Sequence, residues 1–159
     1  MTHIAAKDAT AAEFGNTEYW YCSVCDRYFS YENAENEIEP TDTVISKLAP
    51  KIINGNGATV TESEKTALSF TSDAAFEDFL RVEVDDKTVD EISNTVKSGS
   101  TVVTLNADYV ATLAVGEHTL GIVSESGTAA AKFTVNKKAA ETMTTTNKPD
   151  TNDNTTSPP

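Results

Sequence analysis

Between residues 51 and 136 the apolar residues alternate with polar ones in several short segments. In the segment FLRVEVDD, for example, Leu80, Val82 and Val84 are separated by charged residues. Because successive side chains of a β-strand point to opposite faces, this period of two predicts a strand with one buried and one exposed face. Four other segments alternate in the same way, and their expected inward residues are Leu68 and Phe70, Val103 and Leu105, Leu120 and Ile122, and Ala131, Phe133 and Val135.

Turn-forming residues separate these segments, at Asp85-Asp86-Lys87, Lys97-Ser98-Gly99-Ser100 and Ser124-Glu125-Ser126-Gly127. Two stretches depart from the alternation and predict short helical turns that connect strands. One begins at Ser72 or Asp73 and the other follows Asn106. Short strands with such connections are typical of an antiparallel β-sandwich and unlike a parallel α/β sheet.

The last part of the chain, KKAAETMTTTNKPDTNDNTTSPP, has only three apolar residues, Ala139, Ala140 and Met143. So few apolar side chains cannot offset the entropy lost on ordering the segment. We therefore predict a disordered Thr/Asn/Pro-rich linker over residues 137–159. The rest divides into a small β module over residues 1–49 and the sandwich over residues 50–136.

The charge of the chain narrows the range of partners. There are 25 acidic and 12 basic residues, which gives a formal net charge of −13. A surface of this sign repels the phosphate backbone, so we expect no nucleic acid partner. The chain has no apolar run of the roughly 20 residues that a spanning helix needs, and we expect no membrane segment in it. Its first residues also lack the pattern of a signal peptide.

The sequence VEVDDKTVDEISNTVKSGSTVVTLNADYVATLAVGEHTLGIVSESGTAAAKFTV carries a family resemblance. It resembles the immunoglobulin-like X-two modules that accompany carbohydrate-active and cell-wall proteins of Gram-positive bacteria. The passage from Asp108 to Leu120 is its most specific part. The resemblance implies an immunoglobulin-like β-sandwich in an extracellular protein, cell-surface or secreted. It also implies a spacer or accessory role, partners among the other domains of the parent surface protein, and affinity for cell-wall or host polysaccharide in some members.

Both cysteines lie in EYWYCSVCDRYF, where Cys22 and Cys25 form a Cys-x-x-Cys motif. This spacing suits a zinc knuckle and a disulfide equally well. Three interpretations stay open: a structural pair without metal, reduced or disulfide-bonded; a zinc site; and a redox pair. The redox pair is the least favoured, because no helix pattern follows the motif.

The N-terminal sequence HIAAKDATAAEFGNTEYWYCSVCDRYFS resembles a short zinc-ribbon-like repeat of similar surface proteins. Positions that keep the pattern are His3, Gly15, Asn16, Glu18, Tyr19, Trp20, Cys22 and Cys25, whereas Ala11 stands where the pattern has another cysteine. The resemblance implies a degenerate metal site of His3, Cys22 and Cys25. Because a structural zinc ion requires four ligands, we expect no resident cofactor and at most weak zinc binding.

The function expected from these features is non-catalytic, in display or adhesion. The alternative is a carbohydrate-binding module in which Tyr19, Trp20 and Tyr109 stack on sugar rings. A hydrolase that uses paired acids is the least favoured hypothesis, and no catalytic residue is assigned. His118 is predicted to lie at a strand end, on the face of Leu120 and Ile122, with a hydrogen-bond partner. The acidic pairs Glu77-Asp78, Asp85-Asp86 and Asp90-Glu91 are predicted to be solvated turns.

Overall fold

The computed structural model describes residues 1–62, 64–91, 94–97 and 100–139. The predicted linker therefore lies almost wholly outside the described residues, as does the centre of the predicted turn at Ser98 and Gly99. The described chain is mostly β-strand. No helix within it has the length and apolar character needed to span a bilayer.

Residues 1–49, which we call the N-terminal module, contain six short strands and a 3-10 helix at Pro40–Thr43. β1, β3, β4 and β5 form an antiparallel sheet in the order β1-β3-β4-β5, and β2 pairs with β6. Only two apolar side chains of the module are buried, Ala11 and Phe29. The strands are β1 (Thr2–Ile4), β2 (Gly15–Asn16), β3 (Tyr19–Cys22), β4 (Arg27–Phe29), β5 (Glu37–Ile38) and β6 (Val44–Ile45).

Nine strands of two to ten residues follow, and they pair only with one another among the described residues. A 3-10 helix at Phe76–Asp78 joins β9 to β10, and the helix α1 (Ala107–Val110) lies between β13 and β14. The strands are β7 (Ile52–Asn54), β8 (Ala58–Thr61), β9 (Leu68–Ala75), β10 (Phe79–Val84), β11 (Lys87–Thr88), β12 (Asn94–Lys97), β13 (Ser100–Leu105), β14 (Gly116–Ser124) and β15 (Gly127–Asn136).

These strands form two sheets, with the orders β12-β13-β9-β7 and β11-β10-β14-β15-β8. All the pairings are antiparallel except the one between β15 and β8. The first order corresponds to strands D-E-B-A of the immunoglobulin fold, and the second contains its C-F-G strands. The predicted class, a mainly β protein with an antiparallel sandwich, is therefore confirmed.

The core lies between the two sheets, and the residues predicted to face it are buried with one exception. Phe70 and Phe133 meet at its centre, with ring centroids 5.7 Å apart. The apolar alternation thus identified both inner faces. The predicted residues found buried are Leu68, Phe70, Val82, Val84, Val103, Leu105, Leu120, Ile122, Ala131, Phe133 and Val135.

Leu80 is the exception, with 54% of its surface exposed. The register between β10 and β14 shifts between Phe79 and Arg81, which places a β-bulge at Leu80. One extra residue in a strand reverses the faces on the far side of the insertion. Leu80 therefore points outward, and Phe79 packs against the core in its place.

Two connections between strands differ in how they begin. The helical turn predicted from Ser72 or Asp73 starts later, because β9 keeps its alternation as far as Ala75 and the 3-10 helix begins at Phe76. At the β10–β11 hairpin, Asp85 and Asp86 both have positive φ, 51° and 62°. Two such residues form the turn that matches the twist of a two-residue hairpin.

Candidate functional site

The aromatic side chains of the N-terminal sheet divide between its two faces. Tyr21 lies opposite Tyr28 in the β3–β4 register, and Tyr19 shares their face because it is two residues from Tyr21. The ring of Tyr28 lies 5.6 Å from that of Tyr19 and 5.1 Å from that of Tyr21. All three rings are half-buried. We call this set, Tyr19, Tyr21 and Tyr28, the tyrosine face.

The opposite face carries His3, Trp20 and Phe29, since Trp20 pairs with both of the others. The imidazole of His3 stacks on the indole of Trp20 with centroids 4.7 Å apart. Tyr19 and Trp20, two of the predicted sugar-binding residues, therefore lie on opposite faces. Tyr109, the third, lies on α1 and packs against the sandwich core. The structure does not bring these three residues together.

Cys22 and Cys25 form a disulfide in the turn between β3 and β4. The backbone N–H of Cys25 also donates a hydrogen bond to Cys22 Sγ, over 3.3 Å. The turn ends at Asp26, whose φ is 54°. The Cys-x-x-Cys spacing left three interpretations open, and the structure contains the disulfide-bonded pair.

The predicted metal ligands His3, Cys22 and Cys25 are not assembled as a site. His3 is held by its stacking on Trp20, and its Nε2 lies 2.7 Å from Glu18 Oε1. The two sulfurs are bonded to each other. Throughout the described residues, no group of three or more His, Cys, Asp or Glu side chains is arranged to hold a metal ion. Ala11, at the position of the missing cysteine, is buried with 6% exposure.

His118 lies near the start of β14, and the structure gives it two hydrogen-bond partners. Its Nδ1 is 2.7 Å from Asp85 Oδ2, and its Nε2 is 2.8 Å from the carbonyl oxygen of Ala114. His118 is 8% exposed, and its ring stacks on that of Phe133. His118 thus faces the core beside Leu120, as the alternation predicted.

Asp85 is fixed by the hairpin turn and by β14. Its Oδ1 accepts the backbone N–H of Thr119 over 2.9 Å, and its own N–H donates to the Thr119 carbonyl. Burial acts to raise the pKa of Asp85, but the bonds from Thr119 and His118 outweigh it and lower that pKa. Burial acts to lower the pKa of His118. The hydrogen bonds to Ala114 and Asp85, together with the charge of Asp85, outweigh this effect, so the pKa is raised. Burial raises the pKa of Tyr109, and the negative charge of Asp85 raises it further.

This arrangement fits a structural role for His118. Immunoglobulin-type domains have a tyrosine near the start of strand F whose hydroxyl bonds to backbone a few residues upstream. His118 occupies the same place, and it bonds to Ala114, four residues upstream. Both partners are hydrogen-bond acceptors, so the imidazole satisfies both only when each ring nitrogen carries a proton.

The N-terminal module meets the sandwich through a buried ion pair that the sequence did not reveal. Lys47 Nζ lies 2.5 Å from Asp78 Oδ2, and the two side chains are 16% and 10% exposed. We call Lys47 and Asp78 the junction pair. The ammonium also lies 5.3 Å from the centroid of the Phe14 ring, within the range of a cation–π contact. The prediction that Glu77 and Asp78 form a solvated turn is therefore wrong for Asp78.

A cavity of about 380 Å³ lies beside the junction pair. The module contributes Phe14, Ser46 and Lys47 to it, and the sandwich contributes Asp78, Glu125 and Ser126. The backbone N–H of Glu125 donates to the carbonyl of Asp78 over 2.9 Å, which ties the β14–β15 turn to the junction. Residues from both modules thus meet at one end of the sandwich.

Comparison with known proteins adds little to this description. No protein-family model matches the chain, and no curated protein matches it. Among solved structures it is similar to the twitchin kinase region from C. elegans (Fn31-NL-kin-CRD-Ig26), at 17% sequence identity and a TM-score of 0.40. The similarity covers 62% of this chain but 19% of that chain, so it spans about a fifth of the kinase-region structure. Nothing about function follows from it.

Proposed function

We propose that the chain is a non-catalytic spacer of a bacterial cell-surface or secreted protein, with a role in display or adhesion. The observation that carries this proposal is the junction pair. A lysine and an aspartate that are mostly buried and 2.5 Å apart hold their two segments in one arrangement. A spacer with a fixed junction keeps the parts on either side of it at a defined distance.

Two further features support the proposal. The Cys22–Cys25 disulfide fits an extracellular location, because disulfides persist in oxidising compartments. The one histidine placed beside a carboxylate within the sandwich, His118, has both nitrogens occupied by structural partners. These features favour a role in which other domains of the parent protein supply anchoring and any activity.

Small-angle X-ray scattering tests the fixed junction. We expect Lys47→Ala to increase the radius of gyration relative to the unaltered protein, because Asp78 loses its partner, while the linker predicted over residues 137–159 is the same in both. Lys51→Ala is the matched control, since Lys51 is an exposed lysine close in sequence. If Lys47→Ala leaves the scattering unchanged, the junction pair does not hold the modules and the proposal loses its support.

A carbohydrate-binding function is the second candidate, and the tyrosine face favours it. Three half-buried tyrosine rings on one face of a sheet offer an aromatic surface of the kind that stacks on sugar rings. Affinity electrophoresis in gels that contain cell-wall polysaccharide tests it. We expect Tyr28→Ala to abolish retardation and Tyr109→Ala to leave it unchanged. Equal effects of the two substitutions would rule out the tyrosine face as the binding surface.

A further inference from the structure

A groove of about 470 Å³ runs along the outer edge of β10, between that strand and β12 of the facing sheet. Its walls are mainly apolar, with Phe76, Phe79, Val89 and Val96 among the lining residues. Leu80 also lines the groove, and the bulge in β10 leaves it 54% exposed. We call this feature the edge groove.

The backbone beside the edge groove is an incompletely paired strand edge. β11 pairs only with Glu83 and Val84, and the N–H of Val89 bonds to the carbonyl of Val82. Among the described residues, no strand pairs with the outer edge of β10 from Phe79 to Arg81. A sheet edge of this kind accepts an added strand, whose backbone forms hydrogen bonds while alternate side chains enter neighbouring pockets.

The charge around the edge groove selects the kind of strand. The charged residues that line the groove are Arg81, Asp90 and Glu91, and the chain as a whole has a formal net charge of −13. Arg81 is itself paired with Glu83, at 2.7 Å. Asp90 and Glu91 lie at the rim of the groove. This acidity opposes the docking of a second copy of the chain and favours a cationic occupant.

We propose that the edge groove binds an extended basic peptide segment of a partner protein, which adds as a strand to the outer edge of β10 over residues 79–81. Alternate apolar side chains of the peptide fill the groove beside Leu80 and Val89. Its lysine or arginine residues lie over the acidic rim. This interaction goes beyond the proposed spacer function, and it holds equally if the chain binds carbohydrate.

The test uses the full chain and the probe peptide acetyl-KVKVKVK-amide. We expect binding by isothermal titration calorimetry, and slower hydrogen exchange within residues 79–81 at the amides that face away from β14. The same peptide with alternate backbone amides N-methylated keeps its charge; one of the two methylation registers removes the N–H donors that face β10, and the other removes those that face away from it. We expect the better of its two methylation registers to match the parent peptide and the other to bind at least tenfold more weakly. The acidic peptide acetyl-EVEVEVE-amide should not bind.

Leu80→Glu and Ile53→Glu are the paired variants of the chain. Both residues are 54% exposed and lie at register shifts, but Ile53 is on β7, in the other sheet. We expect Leu80→Glu to weaken binding at least tenfold and Ile53→Glu to leave it unchanged. Leu80→Glu adds a negative charge, which by itself would strengthen the electrostatic attraction of the basic peptide. A loss of binding in this variant therefore reports a lost contact in the edge groove.

Several results would overturn the proposal. These are no binding of the basic peptide, equal binding of both methylation registers, protection away from β10, or no effect of Leu80→Glu. Sedimentation that shows a dimer broken by Leu80→Glu would instead identify a second copy of the chain as the occupant.

Discussion

The N-terminal module and the sandwich are both antiparallel β structures, but different forces stabilise them. Within its described residues, the sandwich buries a cluster of fifteen apolar side chains. The module buries two, and its other stabilising contacts include cross-strand ring pairs, a disulfide and the junction pair. Burial of apolar surface is the main favourable term in folding. We infer that the sandwich folds by itself and that the module depends on its cross-links and on the junction.

The largest expected effect is in the sandwich core. Phe133 is 1% exposed and lies between the rings of Phe70 and His118. Phe133→Ala should lower the free energy of unfolding by about 3–5 kcal/mol, because it removes buried surface and leaves a cavity. Urea denaturation measures this effect. Phe29→Ala in the module is the comparison, and it should leave the main transition unchanged. A main transition equally sensitive to both would mean that the two modules unfold as one unit.

The next effect is at the junction pair. Lys47→Ala leaves the Asp78 carboxylate mostly buried without its partner, which should cost about 2 kcal/mol. Asp78→Ala should cost a similar amount, and the double substitution less than the sum of the two. A double-mutant cycle from thermal or urea denaturation measures the coupling. Additive single effects would show that the two residues do not interact in solution.

A smaller effect is expected on the pH dependence of stability, and it involves only residues of the sandwich. Because the pKa of His118 is raised in the folded protein, His118 stabilises the fold fully at pH values below 6.5, the ordinary pKa of histidine. This stabilisation is lost as the pH rises through the raised pKa. The lowered pKa of Asp85 adds stability above its ordinary value of 3.8, and that is lost as the pH falls through the lowered pKa. Stability should therefore be highest between these two values.

Melting temperatures measured across pH test this window. Because Asp85 is half exposed, we expect a change of about 1 kcal/mol or less. In His118→Tyr, the phenol replaces the imidazole without titrating near neutral pH, so the loss of stability above 6.5 should disappear. An unchanged pH profile in this variant would show that another group is responsible.

The smallest expected effect concerns zinc and the unaltered module. Because His3, Cys22 and Cys25 supply only three of the four ligands that a structural zinc ion requires, the reduced protein should retain little zinc after dialysis. Ala11→Cys supplies the missing thiol at a buried position and should restore tight binding if the zinc-ribbon resemblance gives the correct geometry. Metal analysis under reducing conditions measures both. Stoichiometric zinc in the unaltered protein would mean that the chain has a complete site.

The sandwich was more predictable from sequence than the module, and the reason is physical. The inward positions of a strand with one buried face follow from the period of two, so Phe70, Leu105 and Ile122 could be assigned without a structure. Leu80 was missed because a bulge changes the phase of the alternation without any marker residue. In the module, strands of two to four residues are too short to show a period.

The contacts of the candidate sites were harder to predict. The face of His118 follows from its distance to Leu120, but its partner Asp85 is 33 residues away. Lys47 and Asp78 are 31 residues apart and belong to different modules. No local pattern links such pairs. The opposite faces of Tyr19 and Trp20, in contrast, could have been read from their adjacency in one strand.

The central claim is that the junction pair holds the two modules as one rigid body, and backbone ¹⁵N relaxation measured on the full chain tests it most directly. We expect one overall rotational correlation time for amides of residues 2–45 and of residues 68–136 in the unaltered protein. In Lys47→Ala, the smaller N-terminal module should tumble faster than the sandwich. Two separate correlation times in the unaltered protein would contradict the claim.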